Sequence, residues 1–285
     1  MIDLHLHTTA SDGRLSPAQL VARAKASRLT TISVTDHDTV AALADVTKAA
    51  TAVDIRVVSG IEVTAVDDGR DVHMLGYFFD PASASLAAVL ERQRALRVSR
   101  VREIGARLAA LGMPIDVESV LLAAAARPGS SVGRPQVARE LVRSGYVTSV
   151  QDAFDKWLAT GRPAFIHRTG PSPATIVDAI HEAGGIASMA HPGVTRRDEL
   201  IAPLAGHGLD AIEVYHSDHA PEDVHHYQLI AARRGLLVTG GSDFHGDDPA
   251  EPLAKAGRAR RGVLGVVSLP AADFAALEER ISTRR

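Results

Sequence analysis

The sequence predicts an α/β barrel, and three observations support this prediction. Short apolar runs typical of β-strands alternate with segments typical of helices. Most of these runs end in a His, Asp or Glu side chain. The chain has 285 residues, which is long enough for a barrel of about 250 residues with an insertion. Barrel enzymes collect their functional groups from the carboxyl ends of several strands, so polar ends on apolar strands fit this fold.

The predicted elements alternate through the first part of the chain and again through its last part. Predicted strands cover residues 2–7, 31–35, 55–63, 72–79, 186–190, 211–215, 236–239 and 263–268. Predicted helices between them cover residues 17–27, 40–52, 173–183, 222–234 and 271–281. Ser16-Pro17 and Ser172-Pro173 each place Ser at an N-cap and Pro at the first helical position. Such alternation is typical of a parallel sheet.

The alternation stops near residue 84 and resumes near residue 167. Helical stretches lie between these points, separated by Gly and Pro; they cover residues 84–111, 117–126, 135–144 and 150–159. We therefore expect a barrel made of residues 1–83 and 167–285. A helical insertion at residues 84–166 interrupts it, and we expect this insertion to cap the active site.

Composition excludes several classes of protein. The chain contains no cysteine, so disulfides, thiolate zinc sites and cysteine nucleophiles are excluded. The longest apolar run, at residues 120–126, is far shorter than the roughly 20 residues of a membrane span, so no membrane partner is expected. No basic and apolar leader is visible at the start of the sequence. We expect a cytoplasmic protein.

Charge is distributed unevenly along the chain. Residues 91–168 contain 13 Lys and Arg against seven Asp and Glu, whereas the whole chain has a net charge of −3. A basic insertion facing an acidic barrel suggests a small anionic substrate held between them, although a solvated helix surface would give the same pattern. No contiguous Lys/Arg-rich stretch is interleaved with aromatic residues, so long nucleic acid is not an expected partner.

Several polar residues follow apolar strands in a pattern typical of a metal centre. His5 with His7, and Asp243 with His245, are spaced so that each pair shares one face of an extended chain. The remaining candidate ligands are Asp12, His37, Glu62, His73 and His191. Nine candidates exceed the donors that one ion needs, about four to six, so we expect two or three divalent metal ions. Imidazole and carboxylate without thiolate suit Mn²⁺, the first candidate, and also Fe²⁺ or Zn²⁺.

At these residues the sequence resembles the PHP family, named for polymerase and histidinol phosphatase. The matching motifs are His5-x-His7 with Ser11-Asp12-Gly13, Thr35-Asp36-His37-Asp38, Gly60-Ile61-Glu62, His73, Ala190-His191-Pro192 and Gly241-Ser242-Asp243-x-His245. The resemblance implies a distorted β/α barrel of seven strands with a trinuclear site. It assigns the first ion to His5, His7, Glu62 and Asp243, the second to Glu62, His73 and His191, and the third to Asp12, His37 and His245.

The insertion narrows the resemblance further. Ser131-x-Gly133-Arg134-Pro135 and Gly161-Arg162-Pro163-Ala164 resemble the stand-alone PHP phosphoesterases of nucleoside 3′,5′-bisphosphates and short 5′-phosphorylated RNA. This implies a metal-dependent phosphatase that releases the 3′-phosphate of such a nucleotide. The alternatives are a 5′-3′ exoribonuclease on short RNA, a C–N-cleaving amidohydrolase, and a non-catalytic metal-binding module. The basic insertion argues against the amidohydrolase.

Phosphate ester hydrolysis needs an activated nucleophile and neutralised charge. A hydroxide bridging two metal ions would supply the nucleophile, in a catalytic group that includes Asp243 and His245. His216 is a candidate proton donor to the leaving oxygen, with a loop histidine as the alternative interpretation. Arg and Lys side chains would hold the second phosphate if the insertion caps the barrel, and otherwise are surface charges. The candidate substrate-binding residues are Ser130, Arg134, Lys156, His167 and Arg168.

Overall fold

Seven strands form one sheet in chain order. The computed structural model describes residues 1–246 and 263–284. The strands are β1 (Ile2–Leu6), β2 (Thr31–Val34), β3 (Arg56–Asp67), β4 (Arg70–Tyr77), β5 (Ile186–Met189), β6 (Ala211–His216) and β7 (Leu237–Gly241). The segment after β7 returns to β1, where the Asp243 amide donates to the His5 carbonyl at 2.9 Å and the His7 amide to the Phe244 carbonyl at 3.0 Å. The predicted seven-stranded β/α barrel is confirmed.

Helices surround the sheet and form the insertion. They are α1 (Pro17–Ala26), α2 (Leu43–Thr51), α3 (Ala84–Ala110), α4 (Val117–Ala125), α5 (Arg134–Arg143), α6 (Val150–Ala153), α7 (Pro173–Glu182), α8 (Pro192–Thr195), α9 (Ile201–His207), α10 (Pro221–Arg234) and α11 (Ala271–Arg284). A capping box starts α1, because Ser16 and Gln19 each accept a hydrogen bond from the other's backbone amide. Within the described residues, no helix is both long enough and apolar enough to cross a membrane.

The expectation of an entirely parallel sheet was wrong at strand β4. This strand runs antiparallel to both β3 and β5, whereas β1–β2–β3 and β5–β6–β7 are parallel. Only Asp68 and Gly69 join β3 to β4, both with positive φ, at 47° and 69°. A two-residue loop cannot make the long crossover that parallel neighbours need, and Asp-Gly is a strong hairpin sequence.

The insertion has a hydrophobic core of its own. Val101, Ile104 and Leu108 of α3 pack with Val137 and Leu141 of α5 in this core. The first half of α3 packs differently: Leu86 and Leu90 belong to the core that lies around β3, β4 and α7. Helix α3 therefore joins the two cores.

Some predicted elements differ from the structure. Residues 263–268 do not form the predicted strand, because Gly265 adopts a positive φ of 83° in a turn. The chain instead meets the start of β1, where the Leu269 amide donates to the Ile2 carbonyl at 2.9 Å. The predicted helix at 150–159 is α6 followed by a π-helical turn, Phe154–Leu158. Helices α8 and α9 were not predicted.

Candidate metal centre

Four candidate ligands from three parts of the chain meet inside the barrel. Both His5 and His7 project inward from β1, while Glu62 comes from β3 and Asp243 from the segment after β7. The shared Glu62 Oε2 lies 3.3 Å from each Nε2 of His5 and His7. Asp243 Oδ1 lies 3.4 and 3.1 Å from the same two nitrogens. These four side chains are buried, and their ligand atoms lie within 4.8 Å of one another.

The remaining predicted ligands lie around this group. Glu62 Oε1 is 2.6 Å from His73 Nδ1 and 3.1 Å from His191 Nε2, and Glu62 Oε2 is 3.0 Å from His37 Nδ1. Asp12 lies on the other side, with Oδ1 3.2 Å from His245 Nε2 and Oδ2 3.7 Å from His37 Nε2. The structure thus brings all nine predicted ligands together.

The positions of two ligands on their strands differ from the expected strand ends. Glu62 lies in the middle of β3, because that strand continues to Asp67 in its pairing with β4. His73 lies in the first half of β4. Since β4 runs in the opposite direction, its beginning reaches the edge where the parallel strands end, so His73 still joins the cluster.

The donor set fits divalent metal ions. Within the described residues, His7 Nδ1 and His191 Nδ1 are buried and have no hydrogen-bond partner, while His7 Nε2, His37 Nδ1 and His73 Nδ1 face carboxylate oxygens without making a hydrogen bond. Unpartnered buried polar atoms are costly, and a cation bound among them would supply the missing partner. Imidazole and carboxylate donors suit Mn²⁺, Fe²⁺ and Zn²⁺ without distinguishing them.

The pKa shifts follow from burial and from the crowding of opposite charges. Burial alone would raise the pKa of Glu62, but His37, His73 and His5 outweigh it and hold that pKa well below its usual value. Burial lowers the pKa of His191 to about 4, which leaves its imidazole neutral at neutral pH. Burial also lowers the pKa of His7, but the facing carboxylates of Asp243 and Glu62 prevail and raise it to about 10. At His7 a proton therefore competes with a metal ion.

Three buried carboxylates outside the predicted ligand set support the centre. Glu213 accepts from His5 Nδ1 at 2.9 Å and from the His191 amide at 2.8 Å. Asp36 accepts from Ser11 Oγ at 2.6 Å, beside Asp12. Asp3 accepts from the Ser242 amide at 2.9 Å, next to Asp243. An acidic residue inside an apolar strand, as at Glu213, is the sequence feature that could have identified such a role.

Three residues at the centre have strained backbone conformations. Asp38, His191 and Asp243 have positive φ values of 54°, 26° and 55°, which are unusual for residues with a Cβ. Such conformations persist only where the surrounding structure fixes them. The Asp38 carboxylate provides one such fixation, since it accepts from the Thr64 amide at 2.8 Å and pairs with Arg97.

His216, the predicted proton donor, lies buried beside Asp243. Its Nδ1 accepts a hydrogen bond from the Asp218 amide at 3.1 Å. A ring nitrogen that accepts leaves the proton on the other one, so Nε2 carries the hydrogen and is 3.4 Å from Asp243 Oδ2. His216 thus lies beside the metal-ligand cluster, and with His5 and Glu213 it forms a further group whose ligand atoms lie within 4.8 Å of one another.

Two of the predicted substrate-binding residues meet at Asp71. Arg134 lies 3.5 Å and Arg168 3.4 Å from its carboxylate, and Arg100, not singled out from the sequence, lies 4.0 Å away. Asp71 precedes His73 by two residues in β4, so both side chains share a face of that strand. Burial and the neighbouring Arg97 lower the pKa of Arg168 to about 9, which reflects crowded positive charge.

The other predicted substrate-binding residues lie elsewhere. Ser130 has a buried Oγ with no hydrogen-bond partner in the described part of the chain. His167 is exposed, with its ring centroid 5.0 Å from that of Phe165. Lys156 pairs with Asp152 at 2.7 Å, and its side chain is 60% exposed. The structure does not bring Lys156 into the arginine group at Asp71.

The insertion contacts the loops that carry metal-ligand candidates. The Ser131 amide donates to the Ala10 carbonyl at 2.8 Å, and Arg139 donates to the Asp12 carbonyl at 3.2 Å. Thr39, just after the loop of His37, donates to the Gly129 carbonyl at 2.5 Å. These contacts hold the basic segment beside the metal-ligand cluster.

A barrel that gathers imidazoles and carboxylates, with a basic insertion beside them, has the donor groups of a metal-dependent hydrolase. The PHP domain family model matches residues 3–129. The chain is 36% identical to the 3′,5′-nucleoside bisphosphate phosphatase of Chromobacterium violaceum, over 86% of this chain and 87% of that one. It is 35% identical to the 5′-3′ exoribonuclease of Haemophilus influenzae, over 85% of this chain and 89% of that one. The chain belongs to the PHP family and is a metal-dependent phosphoesterase.

Two solved structures share the whole fold. One is a Bifidobacterium adolescentis protein provisionally described as a metal-dependent phosphoesterase, with a TM-score of 0.86 and 32% identity over 98% of this chain and 96% of that one. The other is described as an amidohydrolase from Chromobacterium violaceum with bound sulfate and no metal, with a TM-score of 0.81 and 32% identity over 99% and 96%. The enzyme names of the curated relatives support hydrolysis of ester bonds.

Replacement of Asp243 with Asn tests the ligand set. The change removes one of the two carboxylates that face His5 and His7, so we expect metal affinity and turnover to fall by at least about 10-fold. Metal content after dialysis against Mn²⁺, measured by mass spectrometry, and phosphate release are the readouts. Asp178→Asn is the control, since Asp178 pairs with His207 on the surface at 2.9 Å. Wild-type metal content in the Asp243 variant would contradict the assignment.

Proposed function

We propose that this enzyme removes the 3′-phosphate from nucleoside 3′,5′-bisphosphates. The observation that carries the proposal is the placement of the arginine group at Asp71, two residues along β4 from His73. Two residues of a strand span about 7 Å, which leaves room for a ribose between a phosphate at the metal-ligand cluster and one at the arginines. The names of the curated relatives support a phosphorylated nucleotide as the substrate class.

We assign the cleaved phosphate to the metal centre. Two or three divalent ions, with Mn²⁺ as the first candidate, would lie among His5, His7, Glu62 and Asp243, among Glu62, His73 and His191, and among Asp12, His37 and His245. When bound, such ions lower the pKa of water and neutralise phosphate oxygens. The carboxylates of Glu62 and Asp243 fix the spacing of the site, since each lies within reach of two or more histidines.

The second phosphate is assigned to Arg134 and Arg168. A guanidinium offers two parallel N–H donors that match phosphate oxygens, and both groups stand at the junction of insertion and barrel. In the structure their partners are Asp71 and, for Arg168, Asp38 at 3.8 Å. Arg134 also lies over the rings of Phe154 and Phe165, at 5.8 and 5.6 Å, which restricts its orientation. The cluster is therefore preorganised, which lowers the entropy cost of binding an anion.

The insertion at residues 84–166 is assigned as the cap that selects the substrate. Its hydrogen bonds to the loops of Asp12 and His37 hold arginines at the mouth of the site. Its positive charge favours a small anionic nucleotide or a short RNA carrying a 5′-phosphate.

Phosphate release from a substrate panel tests the proposed function. With Mn²⁺ supplied, adenosine 3′,5′-bisphosphate should release phosphate faster than AMP or histidinol phosphate. Rapid degradation of a short 5′-phosphorylated RNA, with slow release from the bisphosphate, would favour the exoribonuclease instead. If metal-loaded protein released no phosphate from any of these esters, the proposed substrate class would be wrong. That result would favour C–N bond hydrolysis instead.

Replacement of Arg134 with Ala tests the second phosphate site. Loss of one charge-assisted contact, worth about 1.5–3 kcal/mol, should raise KM for the bisphosphate by about 10- to 100-fold. The KM for p-nitrophenyl phosphate, which has no second phosphate, should change little. Arg102→Ala is the matched control, because Arg102 pairs with exposed Glu118 on the insertion. Equal changes for both substrates would remove Arg134 from substrate recognition.

Replacement of His216 with Gln tests proton donation to the leaving oxygen. Gln keeps an N–H donor towards Asp243 but cannot supply a proton, so turnover of the bisphosphate should fall by about 10²- to 10⁴-fold. Turnover of p-nitrophenyl phosphate should fall much less, because its phenolate leaves without protonation. A comparison of kcat for both substrates makes the measurement, with exposed His226→Gln as the control. An equal loss for both substrates would show that His216 does not act as the acid.

A further inference from the structure

We propose that Glu213 is a positioning residue that holds ligands of two different metal ions, His5 and His191, through its two carboxylate oxygens. The proposal rests on the ligand set described above and adds a residue outside it. Glu213 is fully buried. Its Oε1 accepts from His5 Nδ1 at 2.9 Å, and its Oε2 accepts from the His191 backbone amide at 2.8 Å.

The position of Glu213 depends on an irregularity in β6. The register of β6 against β7 shifts between Glu213 and Tyr215. Such an irregularity re-aims side chains. Glu213 and His216, which are three residues apart, consequently both lie against His5 in the barrel interior. A regular strand would place residues three apart on opposite faces.

The contact to His5 determines which ring nitrogen can bind a metal. The two carboxylate oxygens of Glu213 are the acceptors in both contacts, 2.9 Å from His5 Nδ1 and 2.8 Å from the His191 amide. His5 Nδ1 must therefore carry the hydrogen. In the neutral ring, this leaves the lone pair on Nε2, which faces Glu62 and Asp243 at 3.3 and 3.4 Å. Carboxylates that orient ligand histidines in this way raise metal affinity.

The contact to His191 fixes a strained backbone. His191 has a φ of 26° and is the N-cap residue immediately before the short helix α8. A charged acceptor for its amide stabilises this conformation, which directs Nε2 to Glu62 Oε1 at 3.1 Å. Glu62 is the ligand shared between the first and second proposed ions, so Glu213 supports one further ligand of each.

Glutamine cannot replace Glu213 in both contacts. Its side-chain oxygen can accept one hydrogen bond, but its nitrogen only donates. If the oxygen faces the His191 amide, the NH₂ group faces His5 Nδ1 and forces the hydrogen onto Nε2, the nitrogen that would bind metal. If the oxygen faces His5, the NH₂ group faces the His191 backbone amide, so two donors oppose each other and neither has an acceptor. Either orientation disturbs a proposed ligand although the side chain keeps its size.

Mn²⁺ binding to the full-length protein, measured by titration calorimetry, tests the proposal. We expect Glu213→Gln to weaken the binding of two ions together, each by about 10- to 100-fold. The matched control is Asp210→Asn, which alters a carboxylate that is also almost fully buried. Asp210 directly precedes β6 and binds His181, Arg280 and Arg284. The control should lower the thermal unfolding temperature and leave the Mn²⁺ isotherm unchanged.

Three outcomes would overturn the proposed role. An unchanged isotherm would show that Glu213 positions neither histidine. Loss of one ion with wild-type affinity for the others would make Glu213 a direct ligand. If Asp210→Asn weakened Mn²⁺ binding as much as Glu213→Gln, the loss of affinity would reflect general destabilisation of the fold. A wild-type protein that binds no Mn²⁺ would instead contradict the proposed ligand set itself, so the two failures are distinguishable.

Glu213→Asp keeps the test decisive if Glu213→Gln does not fold. Aspartate retains the charge but withdraws the carboxylate by about 1.5 Å, one carbon–carbon bond. It therefore cannot span both partners, and Mn²⁺ affinity should again fall at two ions. Wild-type affinity in a folded Glu213→Asp protein would overturn the proposal.

Discussion

The structure depends on one buried carboxylate and the histidines that surround it. Glu62 lies within 3.3 Å of nitrogen atoms of five histidines: His5, His7, His37, His73 and His191. An isolated buried carboxylate would be strongly destabilising, so the fold tolerates Glu62 only because cationic or metal-bound partners surround it. These partners come from β1, the loop after β2, β4 and the segment after β5. A barrel is suited to this task because its strand ends converge on one point.

The hairpin at Asp68-Gly69 brings a second group of charged side chains close to this centre. Since β4 turns back antiparallel to β3, its first residues run past the metal-ligand cluster, and Asp71 and His73 project on the same side. Arginines from the insertion and from the segment that follows it converge on Asp71. The distance between the metal-ligand cluster and the cationic cluster is therefore set by strand geometry, which varies little, rather than by flexible loops. The proposed second phosphate site relies on this spacing.

The sequence contains enough information for the barrel and for the group of candidate ligands. His5 with His7 shows the two-residue period of a strand, and polar residues after apolar runs indicate where strands end. The predicted direction of β4 was wrong, although Asp68-Gly69 is itself a hairpin sequence. Residues 263–268 resemble a strand because of Val263, Val266 and Val267, but Gly265 turns the chain.

Residues that act through others were the hardest to predict. Glu213 lies within an apolar strand and acquires its role only when β1, β5 and β6 are assembled. Arg100 and Lys156 belong to the same basic segment, yet one reaches Asp71 and the other pairs with its helical neighbour Asp152. Net charge locates such a segment and cannot rank its members, because ranking requires knowledge of which side of each helix faces the barrel.

Helix α3 has a consequence for how far the insertion could be exchanged within this fold. Leu86 and Leu90 pack in the barrel, whereas Ile104 and Leu108 pack in the insertion, on one continuous helix. Deleting the insertion would expose apolar residues of the barrel core. Unfolding of one core would also destabilise the other, because they share this helix. The insertion is therefore not an interchangeable module. Point substitutions within it preserve this shared helix, whereas exchange of the whole segment would disturb both hydrophobic cores.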